Sequence, residues 1–217
     1  MNAALILSGG SGQRFQSALP KQYHKILGKM VIEYAIEAAM NAKSIDTIVI
    51  AAHPSKAVKR LQTLYPSVVF VPAGEKRNET LKNGLMYLNE AACERVIIMD
   101  AVRPLVTGEL IDTYIRLISE GYHAVTTAQA ITDSLGCLDM HAVDRSRYYL
   151  MQSPESYDFP LLYAHFDSES PLTEVAQQLP EEIRLMKYYD FPENLKLTYP
   201  WEKQYIASLL RKRRNRN

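Results

Sequence analysis

A glycine-rich loop followed by two cations lies near the start of the chain. The loop reads Ser-Gly-Gly-Ser-Gly-Gln-Arg-Phe over residues 8–15, which places Arg14 near its end, and Lys21 follows in a Pro-Lys-Gln-Tyr run. Glycines let the backbone turn tightly and present its N–H groups to an anion, and Arg and Lys suit phosphoryl oxygens. The loop therefore indicates phosphate binding, although an ordinary strand-to-helix turn with solvated charges would contain the same residue types.

Two familiar phosphate-binding loops are excluded by their spacing. The dinucleotide fingerprint requires a third Gly or Ala where this chain has Phe15. The P-loop requires Gly-Lys-Ser or Gly-Lys-Thr at its end, and this loop has neither. The loop therefore belongs to another class of phosphate-binding segment.

A second candidate is the carboxylate of Asp100, which follows the apolar run Val-Ile-Ile-Met and begins the run Asp-Ala-Val-Arg-Pro. A carboxylate at the carboxyl end of a buried strand is suited to hold a hard cation such as Mg²⁺ beside substrate phosphates. The competing interpretation is a helix N-cap or a salt bridge to Arg103.

A third candidate is Gly74, between a predicted strand and a predicted helix that carries Arg77 and Thr80. Exposed N–H groups and a hydroxyl at such a position could hydrogen-bond the edge of a pyrimidine. Alternatively, Thr80 lies one turn inside the helix and bonds only the backbone.

The elements that must position these residues alternate between strands and helices. Apolar residues at Ile32, Ala35 and Ile36 show the helical i, i+3, i+4 spacing, and Pro54 suits a first helical turn. The alternation predicts an α/β fold with a Rossmann-like, doubly wound, mostly parallel sheet. Ligands of such sheets bind beyond the carboxyl ends of the strands, where loop 8–15 and Asp100 both fall. The predicted strands span 3–7, 47–52, 68–71, 95–99, 124–127 and 183–188, and the predicted helices span 31–42, 54–64, 77–91, 107–119, 159–166 and 201–213.

The alternation stops after Ile131. Two short β-like runs, 134–138 and 141–151, predict an excursion from the sheet. We interpret the chain as one domain over residues 1–217 with a short projecting β-arm at about 133–150.

Taken together, these motifs resemble those of nucleotidyltransferases that activate sugar and polyol phosphates. Within that superfamily the chain looks most like the cytidylyltransferases acting on methylerythritol 4-phosphate or ribitol 5-phosphate. The resemblance runs from about residue 3 to 209, and several motifs in order are more specific than any one. Besides the segments above, it includes Val-Asp-Arg at 143–145, Gln-Ser-Pro-Glu at 152–155 and Asn-Leu-Lys-Leu-Thr at 194–198.

The resemblance implies roles for individual residues and Mg²⁺ as the cofactor. The implied catalytic cations are Arg14, Lys21, Arg145 and Lys196. The implied nucleotide-binding residues are Leu7, Ser8, Gly9, Gly10, Ser11, Gly12, Gly74, Arg77, Thr80, Asp100 and Ala101, with Asp100 also holding the metal. The implied acceptor-binding residues are Arg103, Ser134, Arg145, Thr173 and Lys196.

The implied reaction couples CTP to a polyol phosphate and gives a CDP-alcohol and pyrophosphate. The acceptor side departs most from the family pattern: Ser-Pro-Glu replaces Thr-Pro-Gln, Ser134 and Glu174 replace Thr and Asp, and the arm is short. Val102 in Asp-Ala-Val-Arg-Pro looks closer to the ribitol phosphate branch. The alternatives are an enzyme for another alcohol phosphate or sugar phosphate in surface polymer synthesis, or a nucleotide-binding protein that has lost catalysis.

Composition limits the partners. The chain has 217 residues, 47% of them hydrophobic, and its 25 basic and 24 acidic residues give a net charge of +1. A chain with such a balance has no net electrostatic field that would attract nucleic acid or a membrane surface. Two distant cysteines and the lack of a signal segment or long apolar run predict a cytoplasmic protein. We expect small-molecule substrates, and the family resemblance implies a homodimer that swaps its arms.

Overall fold

A seven-stranded sheet with helices on both faces forms the centre of the molecule in the computed structural model. The structure describes residues 1–10, 12–139, 141–172 and 174–215. The strands are β1 (Asn2–Ser8), β2 (Lys25–Ile26), β3 (Lys29–Met30), β4 (Thr47–Ala52), β5 (Val69–Pro72), β6 (Arg95–Asp100), β7 (Ala124–Ala130), β8 (Tyr149–Asp158) and β9 (Leu185–Tyr188). The helices are α1 (Val31–Asn41), α2 (Lys56–Leu64), α3 (Arg77–Glu90), α4 (Gly108–Ser119), α5 (Phe159–His165) and α6 (Glu202–Arg214).

The strand order in the main sheet is β5-β4-β1-β6-β8-β7-β9, and β2 and β3 form a separate small ribbon. The first four strands are parallel to one another, whereas β8 runs antiparallel to both β6 and β7. The predicted α/β class with a mostly parallel sheet is confirmed. Register places Leu7 of β1 opposite Asp100 of β6, so the glycine loop and Asp100 leave the sheet side by side.

The sheet separates two hydrophobic cores, as a doubly wound fold requires. On one face α1, α4 and α6 cover the strands with fully buried side chains such as Ile36, Ile111 and Ile206. On the other face α3 and α5 contribute Leu85 and Leu162. Strands buried on both faces explain why β1 and β6 read as continuous apolar runs.

Helix α2 begins two residues later than the sequence predicted. Ser55 is its N-cap, because its hydroxyl accepts a hydrogen bond from Val58 N at 3.1 Å. Pro54 therefore precedes the cap and does not occupy the first turn. The helix begins after Ser55 because the Ser55 hydroxyl pairs with a backbone N–H that has no partner within the first turn.

The predicted β-structure of the arm is wrong at 134–138 and 141–148, whereas 149–151 form a strand as predicted. Within residues 131–139 and 141–148 the structure has a single 3-10 turn, Arg145–Arg147, and β8 begins only at Tyr149. Most of these residues are exposed, and a strand needs a partner to pair its backbone groups. The β-like run at 134–138 has no neighbouring strand in the described chain.

Candidate active site

A cleft of about 720 Å³ opens at the carboxyl ends of β1, β4 and β6. Ten of the residues predicted for the site line this cleft. They are Leu7, Ser8, Gly9, Gly10, Lys21, Arg77, Thr80, Asp100, Ala101 and Lys196. The structure therefore brings the glycine loop, the Gly74 segment, Asp100 and the segment of Lys196 to one cavity.

Gln22 holds the glycine loop in place. Its side-chain amide donates to the carbonyl oxygens of Ser8 at 3.0 Å and Gly10 at 3.2 Å. Gln22 is buried, so these bonds fix the loop against the turn that carries Lys21. The Ser8 hydroxyl is buried beside the cleft and has no hydrogen-bond partner among the described residues. Such a hydroxyl is available to a ligand.

The loop also packs closely against the Gly74 segment, and a glycine is required for this approach. A Cβ on Gly9 would lie 2.7 Å from Thr80 Oγ1 and 2.8 Å from Ala73 Cβ. Thr80 Oγ1 accepts from Gly74 N at 3.1 Å and donates to Lys76 O at 3.0 Å. Thr80 therefore bonds the backbone, as the alternative interpretation of the sequence expected, and it also lines the cleft.

Lys21 lies in a positive environment. It is half-buried, and burial lowers its pKa, with the positive charges of Lys196 and Arg14 lowering it further. Asp100 acts in the opposite direction. Cations gathered this closely repel one another until an anion neutralises them. The cleft wall around Lys21 is thus suited to a polyanionic ligand.

Asp100 is held by two cations at the floor of the cleft. Its Oδ2 accepts from Lys196 Nζ at 2.9 Å and from Arg103 Nε at 3.3 Å. Burial raises the pKa of Asp100, but Lys196 and Arg103 outweigh burial and hold the pKa below its ordinary value. Asp100 is therefore an ionised carboxylate at the cleft.

Arg103 itself is buried beneath this floor. Its Nη1 donates to the carbonyl oxygen of Asn194 at 2.8 Å, and Asn194 Nδ2 donates to Ser153 O at 2.8 Å. Ser153 Oγ in turn accepts from Asp100 N at 2.7 Å. The sequence offered a salt bridge to Arg103 as the alternative to a ligand role for Asp100, and this salt bridge is present. Together with the hydrogen bonds above, it connects the sequence motifs that contain Asp100, Ser153 and Asn194.

Six other predicted site residues lie outside the walls of the cleft in the described chain: Gly12, Arg14, Gly74, Arg103, Ser134 and Arg145. Arg14 is exposed but close enough to act on Lys21. Arg145 is exposed on the arm, where its guanidinium donates to Thr132 O. Ser11 and Thr173 fall outside the described residues.

Sequence reasoning missed several residues of the cleft. The loop after β4 contributes His53, Pro54 and Ser55, and the Gly74 turn adds Glu75 and Lys76. The signal for the first group was available, because the loop after a strand adjacent to β1 must open on the same edge of the sheet.

A mostly parallel α/β sheet with a cation-lined cleft beyond its strand ends places this chain among the α/β proteins that bind ligands at the carboxyl edge of the sheet. A profile of the 2-C-methyl-D-erythritol 4-phosphate cytidylyltransferase family matches residues 2–201. The chain belongs to this family, whose members are nucleotidyltransferase enzymes.

Individual relatives agree with the family match. The chain is 31% identical to the bifunctional enzyme IspD/IspF of Ruegeria sp. (strain TM1040), over 96% of this chain and 56% of that enzyme. It thus spans about half the length of that bifunctional relative. It is 27% identical to the 2-C-methyl-D-erythritol 4-phosphate cytidylyltransferase of Neorickettsia sennetsu, over 96% of both chains. The crystal structure of 4-diphosphocytidyl-2C-methyl-D-erythritol synthase from Anaerococcus prevotii superposes with a TM-score of 0.82 at 21% identity, covering 97% of this chain and 98% of that one.

Two kinds of feature are absent from the described residues. None of their helices combines the length and apolarity needed to cross a bilayer. They also contain no group of three or more His, Cys, Asp or Glu side chains placed to hold a metal ion.

Proposed function

We propose that this protein transfers the cytidylyl group of CTP to the phosphate of 2-C-methyl-D-erythritol 4-phosphate. The observation that carries the proposal is that Lys21 and Lys196 both line the cleft of a member of this family. Lys196 lies close enough to lower the pKa of Lys21, after the larger effect of burial. Asp100 already pairs with Lys196, so a triphosphate entering the cleft would chiefly neutralise Lys21. Such preorganised cations stabilise the charge that develops during phosphoryl transfer.

The chemistry needs no covalent intermediate on the protein. A phosphate oxygen of the acceptor forms a bond to the α-phosphorus of CTP while the bond from that phosphorus to the bridging oxygen of pyrophosphate breaks. Catalysis then consists of positioning and charge neutralisation. We assign neutralisation of the triphosphate to Lys21 and Arg14, and binding of the acceptor's phosphate to Lys196 and Arg145.

We propose Mg²⁺ as the cofactor, held by Asp100 and substrate phosphates. The described hydrogen bonds and ion pairs of the Asp100 side chain use Oδ2. Proteins commonly hold this ion with one or two carboxylates and the phosphates of the substrate, so a single carboxylate at the cleft is adequate. When bound, the ion would neutralise and orient phosphate oxygens.

Ribitol 5-phosphate is the second candidate acceptor. Val102 favours it, because this residue lines the cleft and gives the Asp-Ala-Val-Arg-Pro run its resemblance to the ribitol phosphate branch. Small differences at the acceptor side can change specificity when a polar group of the wrong acceptor leaves a partner unpaired.

Pyrophosphate release with a panel of substrates tests the proposal. The panel combines CTP, UTP, ATP or GTP with methylerythritol 4-phosphate, ribitol 5-phosphate or no acceptor, in the presence of Mg²⁺. We expect the fastest release with CTP and methylerythritol 4-phosphate. Faster release with ribitol 5-phosphate would show that ribitol 5-phosphate is the preferred acceptor. Faster release with ATP or GTP would show that CTP is not the preferred nucleotide. CTP binding without turnover for any acceptor would favour a nucleotide-binding protein that has lost catalysis.

We also propose that two chains pair through their arms, with Arg145 directed to the partner's cleft. The support is the exposed position of Arg145 outside its own chain's cleft, together with the family to which the chain belongs. A cytoplasmic location remains a prediction from the sequence.

A further inference from the structure

A buried carboxylate, Glu155, lies behind one wall of the cleft. It is fully buried, and it is one of the two residues, with Ser153, at which this chain departs from the Thr-Pro-Gln motif of the family it resembles. Arg77 Nη2 lies 3.4 Å from Glu155 Oε1, and the Tyr157 hydroxyl donates to Glu155 Oε2. Arg77 lines the cleft, so Glu155 contacts a residue of the site from its protein side.

Arg77 is surrounded by acidic groups from several elements. Burial alone would lower its pKa, but Glu155 of β8, Asp100 of β6 and Glu174 raise the pKa above its ordinary value. Some of the same charges act on Glu155. Burial raises the pKa of Glu155, Glu174 raises it further and Arg77 lowers it, which leaves the pKa at about 7. Arg77 is therefore a charged guanidinium in contact with the buried carboxylate of Glu155.

Arg77 and Lys21 lie in different parts of the cleft lining. Arg77 lines the cleft beside Thr80, whose hydroxyl accepts from Gly74 N, and we call this part the nucleoside end. N–H groups and a hydroxyl at such a turn can hydrogen-bond the edge of a pyrimidine. Lys21, with Lys196 and Arg14 acting on it, is the group suited to the phosphates. Under the proposed function, Arg77 therefore lies on the side of the base and ribose.

We propose that Glu155 is a positioning residue that holds the Arg77 guanidinium at the nucleoside end of the cleft. CTP binding then depends on Glu155 although Glu155 does not touch the nucleotide. This inference rests on the proposed function, because it takes CTP as the nucleotide. Its specific consequence is that Glu155 matters for the nucleoside part of the ligand and not for the phosphate chain.

The experiment compares the dissociation constants of CTP and of inorganic tripolyphosphate by calorimetry at pH 8. We expect Glu155→Ala to weaken CTP binding about 10-fold or more, as losing a hydrogen bond to a charged group typically does, and tripolyphosphate binding less than about 2-fold. Glu155→Gln, which retains an acceptor of the same size, should stay within about 3-fold for CTP. Glu33→Gln is the matched control, because Glu33 is a buried carboxylate that accepts from Met30 N at the start of α1, away from the cleft.

A double-mutant cycle with Arg77→Ala decides whether Glu155 acts through Arg77. In the Arg77→Ala background, Glu155→Ala should cost no further CTP affinity, because the group that it positions is gone. The double variant removes both members of the ion pair, so we expect it to fold even if Glu155→Ala alone does not, and its CTP affinity is then compared with that of Arg77→Ala. Circular dichroism and thermal melting check the folding of every variant.

Three results would overturn the inference: unchanged CTP affinity in folded Glu155→Ala, equal losses for CTP and tripolyphosphate, or additive losses in the cycle. Failure of the proposed function appears elsewhere, as wild-type protein that binds CTP but releases no pyrophosphate with any acceptor. Wild-type protein that does not bind CTP would overturn both.

Discussion

Individual charges decide what the cleft can do, and Lys21 is the clearest case. Lys21→Ala should lower kcat by about 10²–10³-fold, because a preorganised donor aimed at transition-state charge is typically worth that much. Stability should change little or rise, since burial and the neighbouring cations Lys196 and Arg14 disfavour its charged form. Arg14→Ala should act in the same direction. Steady-state kinetics and urea unfolding of both variants check this. A near-normal kcat in a folded variant would show that the substituted residue is a solvated surface charge with no part in catalysis.

Glu155 gives a residue-scale prediction for pH. Its pKa rises from an ordinary value of 4.5 to about 7, so between these values the folded chain binds a proton that the unfolded chain releases. This contribution to stability is complete below about pH 4.5 and is lost as the pH rises through about 7. The free energy of unfolding of Glu155→Gln should therefore rise relative to wild type over this range, by up to about 3 kcal/mol. Urea titrations of both proteins across this range measure the difference, and parallel curves would contradict it.

At the scale of elements, the loop after β1 fits only if Gly9 has no side chain. Gly9→Ala would place a methyl group within 2.8 Å of both Thr80 Oγ1 and Ala73 Cβ, so the loop or the Gly74 turn must move. We expect weaker CTP binding and a loss of about 1–3 kcal/mol in stability, as overpacking typically causes. Gly10→Ala is the control for stability, because a Cβ there meets nothing within 4 Å. Equal melting temperatures for the two variants would show that the loop tolerates the contact.

The sequence allowed most elements of this fold to be predicted, for reasons that differ between them. Buried strands such as β4 read as β-branched apolar runs, and α1 follows helical spacing, so both were predicted to within a residue. Most of the arm was not, because a β-like run such as 134–138 does not show whether a partner strand exists. Glu155 was noted only as a departure from a motif. Its contact with Arg77 joins residues 78 positions apart, and only the pairing of β8 beside β6 brings them together.

At the scale of the whole molecule, the position of Arg145 bears on whether one chain or two chains supply the residues of a catalytic site. Arg145 is exposed on the arm and lies outside the cleft walls of its own chain. If the arm reaches a partner's cleft, each site combines Lys21 of one chain with Arg145 of the other. Two-fold pairing is the commonest oligomeric state of soluble proteins, and it would place two such sites in each dimer.

Mixing two inactive variants tests this arrangement. An Arg145→Ala chain and a Lys21→Ala chain should each be nearly inactive alone. If Arg145 acts on the partner, a mixed dimer contains one site with both residues intact, and random exchange of equal amounts should restore activity to about a quarter of wild type. Mixing Arg145→Ala with Arg145→Ala/Lys21→Ala is the control, because no combination of those chains contains an intact site. Lack of recovery despite demonstrated exchange would place Arg145 in its own chain's site, and a monomer at the assay concentration, measured by analytical ultracentrifugation, would remove the shared site altogether.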